Sequence, residues 1–152
     1  MPENNLKETI YLFCETFIND RLSRIQSQIK EIQLALDSET KSSAGDKHET
    51  GRAMLQLERE KTGRQLAEAE RMKQVLNKVD TKANSKNIGL GSVVQTTKGH
   101  YFLAISAGVF QTDGVHVHCI SIQTPIGKLL LGKSVGDSFT FNGSASVILT
   151  IA

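Results

Sequence analysis

Two carboxylates, Asp46 and Glu49, sit three positions apart in the segment Ser42-Ser43-Ala44-Gly45-Asp46-Lys47-His48-Glu49-Thr50-Gly51-Arg52. On a helix, residues at i and i+3 are neighbours about 5–6 Å apart on one face. That spacing suits joint capture of a hydrated Mg²⁺, which typically takes one or two carboxylates and keeps several waters. Two acids are too sparse to hold the ion tightly, so this chemistry needs a partner that supplies further ligands. The same spacing also matches a capping box, in which an N-cap side chain and a Glu three residues later satisfy free backbone N–H groups. The residues alone leave both readings open. Lys41, Lys47 and Arg52 surround the acids, with His48 between them. They are placed to meet a nucleic-acid backbone or a proton in transit, and equally to form an ordinary charged turn.

A second group, His116-x-His118-Cys119, invites a metal reading. In a strand the two histidines share one face and the cysteine points to the other, so the three do not converge. Surface histidines on an amphipathic strand are the expected outcome.

The elements that position the acids are two long helical patterns. On the first, Leu6, Ile10, Phe13 and Phe17 recur at helical spacing, and Ile18, Leu22, Ile25, Ile29, Ile32 and Leu36 continue it after a phase slip at 17–18. On the second, Leu55, Thr62, Leu66, Ala69, Met72, Leu76 and Val79 form a weaker seam with Gly63 inside it. Narrow seams at spacings of three and four predict a coiled coil rather than the broad face of a globular-domain helix. Joined at 42–52, the two predict an antiparallel hairpin over 1–80, with the acids at its turn. The arm from Leu6 to Leu36 spans roughly 45 Å at ~1.5 Å per residue.

Residues 81–91 are polar and turn-rich, a linker. From residue 92 the period changes to two, with strands predicted at 92–97, 101–106, 115–122, 138–141 and 146–151. Between them Thr124 as N-cap, Pro125 at the first helical position and Gly132 as stop predict one short helix over 125–131. The fold class is therefore α+β: a coiled-coil hairpin, then a small antiparallel β-sheet domain over 92–152 with one helix. Its core is drawn from Val93, Phe102, Ile105, Val117, Ile120, Leu130, Phe139, Phe141 and Leu149.

Composition agrees with two unlike modules. Of the 34 Asp, Glu, Lys and Arg residues, 29 lie within 1–86, whereas nine of the twelve glycines lie within 87–152. A net charge of +2 is too small to argue for nucleic-acid binding by field alone. No Phe, Tyr or Trp falls between Phe17 and Tyr101, so the hairpin has no base-stacking platform. Cys14 and Cys119 are the only cysteines and lack metal-type spacing. A reduced, cytoplasmic setting is expected, with no apolar run of the ~18–20 residues that a membrane span requires.

The run Thr124-Pro125-Ile126-Gly127-Lys128-Leu129-Leu130-Leu131-Gly132-Lys133-Ser134-Val135-Gly136-Asp137 resembles the C-terminal signature of the bacterial Gre transcript-cleavage factors, of the GreA and GreB kind. That signature is Ser or Thr, Pro, a small apolar stretch with a basic residue, Leu-x-Gly-Lys and a Gly-Asp pair. The order of parts is similar too, since these factors join an N-terminal antiparallel coiled coil to a small domain of FKBP-like fold. Gly45-Asp46-Lys47-His48-Glu49 keeps the family's Gly-Asp and the Glu three positions on, but Thr50-Gly51-Arg52-Ala53 stands where the family has Asn-Ala-Glu-Tyr.

The resemblance implies an accessory factor rather than an enzyme. Its partner would be RNA polymerase, docked through the surface that carries Pro125, Ile126, Lys128, Gly132 and Lys133. The hairpin would enter the secondary channel. Asp46 and Glu49 would help hold a Mg²⁺ shared with the polymerase, with no cofactor bound tightly, and the backtracked 3′ end of the nascent RNA would be cut. Lys47, His48 and Arg52 are the candidates for RNA contact. A monomer is expected. A factor that occupies the channel without stimulating cleavage is the nearest alternative. A peptidyl-prolyl isomerase or chaperone, suggested by the FKBP-like fold, would need an aromatic-lined pocket, and Tyr101, Phe102, Phe110, Phe139 and Phe141 are few for both pocket and core. A plain dimerising scaffold is the remaining class.

Overall fold

The computed structural model describes the backbone of residues 3–41 and 46–152, and the side chains of 6–39 and 49–152. Helix α1 runs over Glu3–Lys41 and α2 over Asp46–Asn77. Contacts divide the chain into two compact units, Ile18–Lys73 and the combination of Met1–Phe17 with Gln74–Ala152.

In the first unit, burial recurs every seven residues: Ile18, Ile25 and Ile32 on α1, Thr62 and Ala69 on α2. A period of seven is the coiled-coil repeat, in which one narrow stripe per helix faces its partner. The pairing is antiparallel. Lys73 Nζ donates to Asn19 Oδ1, Arg21 Nη1 approaches Met72 Sδ at 3.6 Å, and the Glu39 carboxylate lies beside Gly51. As numbers rise along α1, those of their partners on α2 fall. Thr62 meets the cost of burying a hydroxyl by donating to the Glu58 carbonyl one turn back, at 2.8 Å.

Gly63 is helical, and a Cβ added there would meet only the end of the Arg59 side chain, at 3.0 Å. That guanidinium can move. Gly63→Ala is therefore expected to stabilise the chain by about 0.5–1 kcal/mol through backbone entropy. A thermal melt that moved downward would show that the close approach of α2 to its surroundings at residue 63 is tighter than this.

The second unit is built on a six-stranded sheet of β1 (Val93–Thr96), β2 (His100–Ala104), β3 (Gly108–Thr112), β4 (Val115–Ser121), β5 (Ser138–Phe141) and β6 (Ser144–Ile151), in the order β3-β4-β2-β1-β6-β5. The strand at 108–112 is absent from the sequence reading, and its signal was the Asp113-Gly114 turn. Both turn residues have positive φ, 45° and 79°, as a two-residue hairpin turn demands. Such a turn needs a strand on each side. Asn142-Gly143, with φ of 52° and 78°, does the same between β5 and β6. The sheet is antiparallel except that β2 and β4 run parallel. After β2 the chain crosses to form the edge strand β3, and the hairpin then returns β4 into the gap between them.

Both faces of the sheet are covered. On one, Val94, Leu103 and Ile148 pack with Ile88, Phe139 and Leu130, the last carried by helix α3 (Pro125–Leu130). On the other, Phe102, Val117 and Cys119 are buried. There Phe110 meets Phe13 of α1 edge-on, with ring centroids 5.4 Å apart, and Cys119 meets Cys14. Lys7, also on α1, is buried and donates from Nζ to the Ala83 carbonyl at 2.8 Å. Desolvation holds its pKa below the usual lysine value, partly offset by Asp80.

Most of the expected core residues are buried, but Leu149 is 44% exposed and Ile148 takes its place at 1%. The cause is a bulge. Gln95 pairs with Thr150 and Thr96 with Ile148, so Leu149 is an extra residue on β6. One extra residue reverses the inside–outside alternation beyond it.

Candidate functional site

Asp46 and Glu49 both fall in the first turn of α2. Their positions lie three residues apart along a helical backbone, the i, i+3 relation that puts two residues on one face. Negative charge is favoured there by the unpaired N–H groups and the positive end of the helix dipole. Glu49 and Arg52 are exposed, whereas Gly51 is partly covered, and a Cβ on it would lie 3.7 Å from the Glu39 carboxylate across the hairpin. Residues 42–45, and the side chains of Asp46, Lys47 and His48, lie outside the described residues. Among the described residues no group of three or more His, Cys, Asp and Glu could hold a metal ion.

His116 and His118 are exposed on one face of β4, and Cys119 is buried on the other. The His118 ring lies 5.7 Å from that of Tyr101, its cross-strand neighbour on β2. The three residues do not converge, as the period of a strand requires.

The 124–137 run is first of all a folding device. Thr124 caps α3: its Oγ1 accepts from Gly127 N at 3.1 Å and donates to the Ser121 carbonyl at 2.7 Å. Pro125 occupies the first turn, where its missing N–H costs nothing. Gly127 is buried, and a Cβ on it would lie 2.2 Å from the Ser121 carbonyl oxygen. Gly132 ends the helix with φ 84°, a conformation in which side chains other than Gly are strained. Asp137 Oδ2 accepts from Ser134 N at 2.8 Å, closing the turn before β5. Residues 132–134 are then stitched to 87–88: Gly132 N donates to the Ile88 carbonyl (2.7 Å), Ile88 N to the Lys133 carbonyl (2.8 Å), and Asn87 Nδ2 to the Gly132 carbonyl (3.0 Å).

What this device displays outward is mixed. Pro125, Lys128 and Gly132 are exposed, Lys133 is half-buried, and Ile126 packs partly against the core. Three apolar residues that sequence reasoning passed over, Leu129, Leu131 and Val135, are exposed beside them. The signal was present in Leu129-Leu130-Leu131. At ~100° per residue, a helix cannot turn three successive leucines to one core. Leu130 goes in, and its neighbours stay out.

No family model matches the chain, and no curated protein matches it. Among solved structures, the chain is similar to one described as "Structure of the transcription factor Gfh1", with 23% sequence identity, coverage of 88% of this chain and 90% of that one, and a TM-score of 0.35. Among the described residues, no helix is long and apolar enough to cross a membrane.

Proposed function

We propose that this chain is a Gre-type accessory factor of RNA polymerase. It docks through the surface around α3, passes its helical hairpin into the secondary channel and brings Asp46 and Glu49 to the active site, where backtracked RNA is cut. The observation that carries the reading is the run from Thr124 to Asp137. It supplies cap, close-packed glycine, helix stop and turn in one stretch, and it leaves Pro125, Lys128, Leu131 and Val135 at the surface. A Mg²⁺ ion held by Asp46 and Glu49 together with polymerase carboxylates would supply the Lewis acid for phosphodiester hydrolysis. The chain's own part is to place two negative charges, at fixed spacing on the first turn of a helix, within reach of that centre. Lys47, His48 and Arg52 are proposed to steady the RNA 3′ end. The experiment is direct: adding the protein to a stalled elongation complex should shorten its RNA from the 3′ end in a Mg²⁺-dependent way. Unchanged RNA in the presence of bound protein would remove the cleavage role.

That second outcome matches the alternative of a channel occupant that restrains the enzyme. It is favoured by Thr50-Gly51-Arg52-Ala53, which replaces the Asn-Ala-Glu-Tyr continuation of the Gre pattern. An isomerase role has little to work with. Phe102 and Phe139 are buried, Phe110 is packed against Phe13, Phe141 leans on the core, and Tyr101 is stacked beside His118.

A further inference from the structure

Cys14 and Cys119 are 105 positions apart in sequence and neither is used by the function proposed above. Both are buried, on α1 and on β4, and their thiols lie beside one another. We propose that they form a redox-modification site, a dithiol that hydroperoxides convert into an intramolecular disulfide joining α1 to the sheet.

The surroundings fit that chemistry. Phe13 and Phe110, a residue away from Cys14 and on the strand beside Cys119, lock α1 over the β3–β4 hairpin, so the two sulfurs are held together by packing and not by chance. The residue directly across from Cys119 is Gly108 of edge strand β3. Gly108 is exposed and carries no side chain to cover that edge, so a small oxidant reaches Cys119 when the edge strand loosens, and edge elements open at low free-energy cost. The two thiols are also unlike. The Cys14 thiol beside Cys119 and the backbone of Phe110 favour the Cys119 thiolate and hold its pKa low against burial. Cys14 is pushed up by the neighbouring Cys119 and by its own burial.

Cys119 is thus the attacking sulfur. Its thiolate displaces alkoxide, or hydroxide from hydrogen peroxide, at the O–O bond and becomes a sulfenic acid. The sulfur of Cys14 then attacks that of Cys119. The S–O bond breaks, hydroxide leaves with the Cys14 proton as water, and the disulfide forms. Overall, two thiols and one hydroperoxide give one disulfide, one alcohol (or water) and one water.

The test uses the full-length folded chain and hydrogen peroxide. Both thiols should disappear together, the mass should fall by two hydrogens, and peptides containing residues 14 and 119 should be linked within a monomer and released by dithiothreitol. The oxidised chain should melt roughly 5–10 °C higher, because a long loop of the unfolded chain is closed. In Cys14→Ser, or in Cys14→Ala should the serine variant fold poorly, Cys119 should stop at a sulfenic acid that dimedone traps. The proposal is overturned if the folded chain keeps both thiols at doses that oxidise the unfolded chain. Links formed only between chains, or oxidation of each cysteine separately to sulfinic acid, would overturn it as well.

Discussion

Gly127→Ala should lower the melting temperature by roughly 10 °C, a loss of about 3–4 kcal/mol for a chain of this size. The added methyl would lie 2.2 Å from the Ser121 carbonyl oxygen, 2.9 Å from Thr124 Oγ1 and 3.0 Å from Ile122 Cα. The first and last of these are backbone atoms, so relief requires α3 to move as a body. That movement breaks the cap bond from Gly127 N to Thr124 and draws Leu130 out of the core. Gly132→Ala is the comparison. Its φ of 84° is strained for alanine, but no atom lies within 4 Å of the new Cβ, so only the conformational cost of about 1–2 kcal/mol applies. If Gly127→Ala melted no lower than Gly132→Ala, the close approach of α3 to residue 121 would not be what holds this part of the fold.

Asp46→Asn and Glu49→Gln, singly and together, should abolish cleavage stimulation while leaving folding and polymerase binding almost untouched. Loss of a group that stabilises transition-state charge typically costs about 10²–10³ in rate. Against that, an amide at a helix start keeps its side-chain acceptor, and the stability change stays within ~1 kcal/mol. The singles should be strongly non-additive, because both acids would act on one ion. Added Mg²⁺ should restore part of the activity if capture of the ion is the defect. A double variant that melts much earlier yet still cleaves would instead make the two acids a capping box and nothing more.

These measurements call for the whole chain. The face of the sheet bearing Phe102, Val117 and Cys119 is covered by the beginning of α1. A fragment of residues 92–152 would present that buried face to water. Docking is better probed by charge placed at exposed Leu131 or Val135 in the intact protein.

The two helical seams and the short helix at 125–130 follow from sequence alone, because each is decided locally. A seven-residue recurrence of apolar side chains, a Thr-Pro start and a Gly stop act over one or a few helical turns. The same holds for His116, His118 and Cys119, whose separation onto two faces is set by the strand period. The spacing of Asp46 and Glu49 was legible too, since it needs only a helix, whereas the ion proposed for them would take its remaining ligands from a partner. Other features could be decided only by contacts between distant segments. The parallel pairing of β2 with β4 depends on where the β3–β4 hairpin inserts, and β3 gains its partner only through that insertion. The bulge that exposes Leu149 and buries Ile148 arises from the register against β1. The first turns of α1 look from sequence like more coiled coil, yet Ile10, Phe13 and Cys14 serve the sheet's second face. A helix carries the same apolar periodicity whether its stripe meets another helix or a sheet, and only the tertiary fold chooses between them.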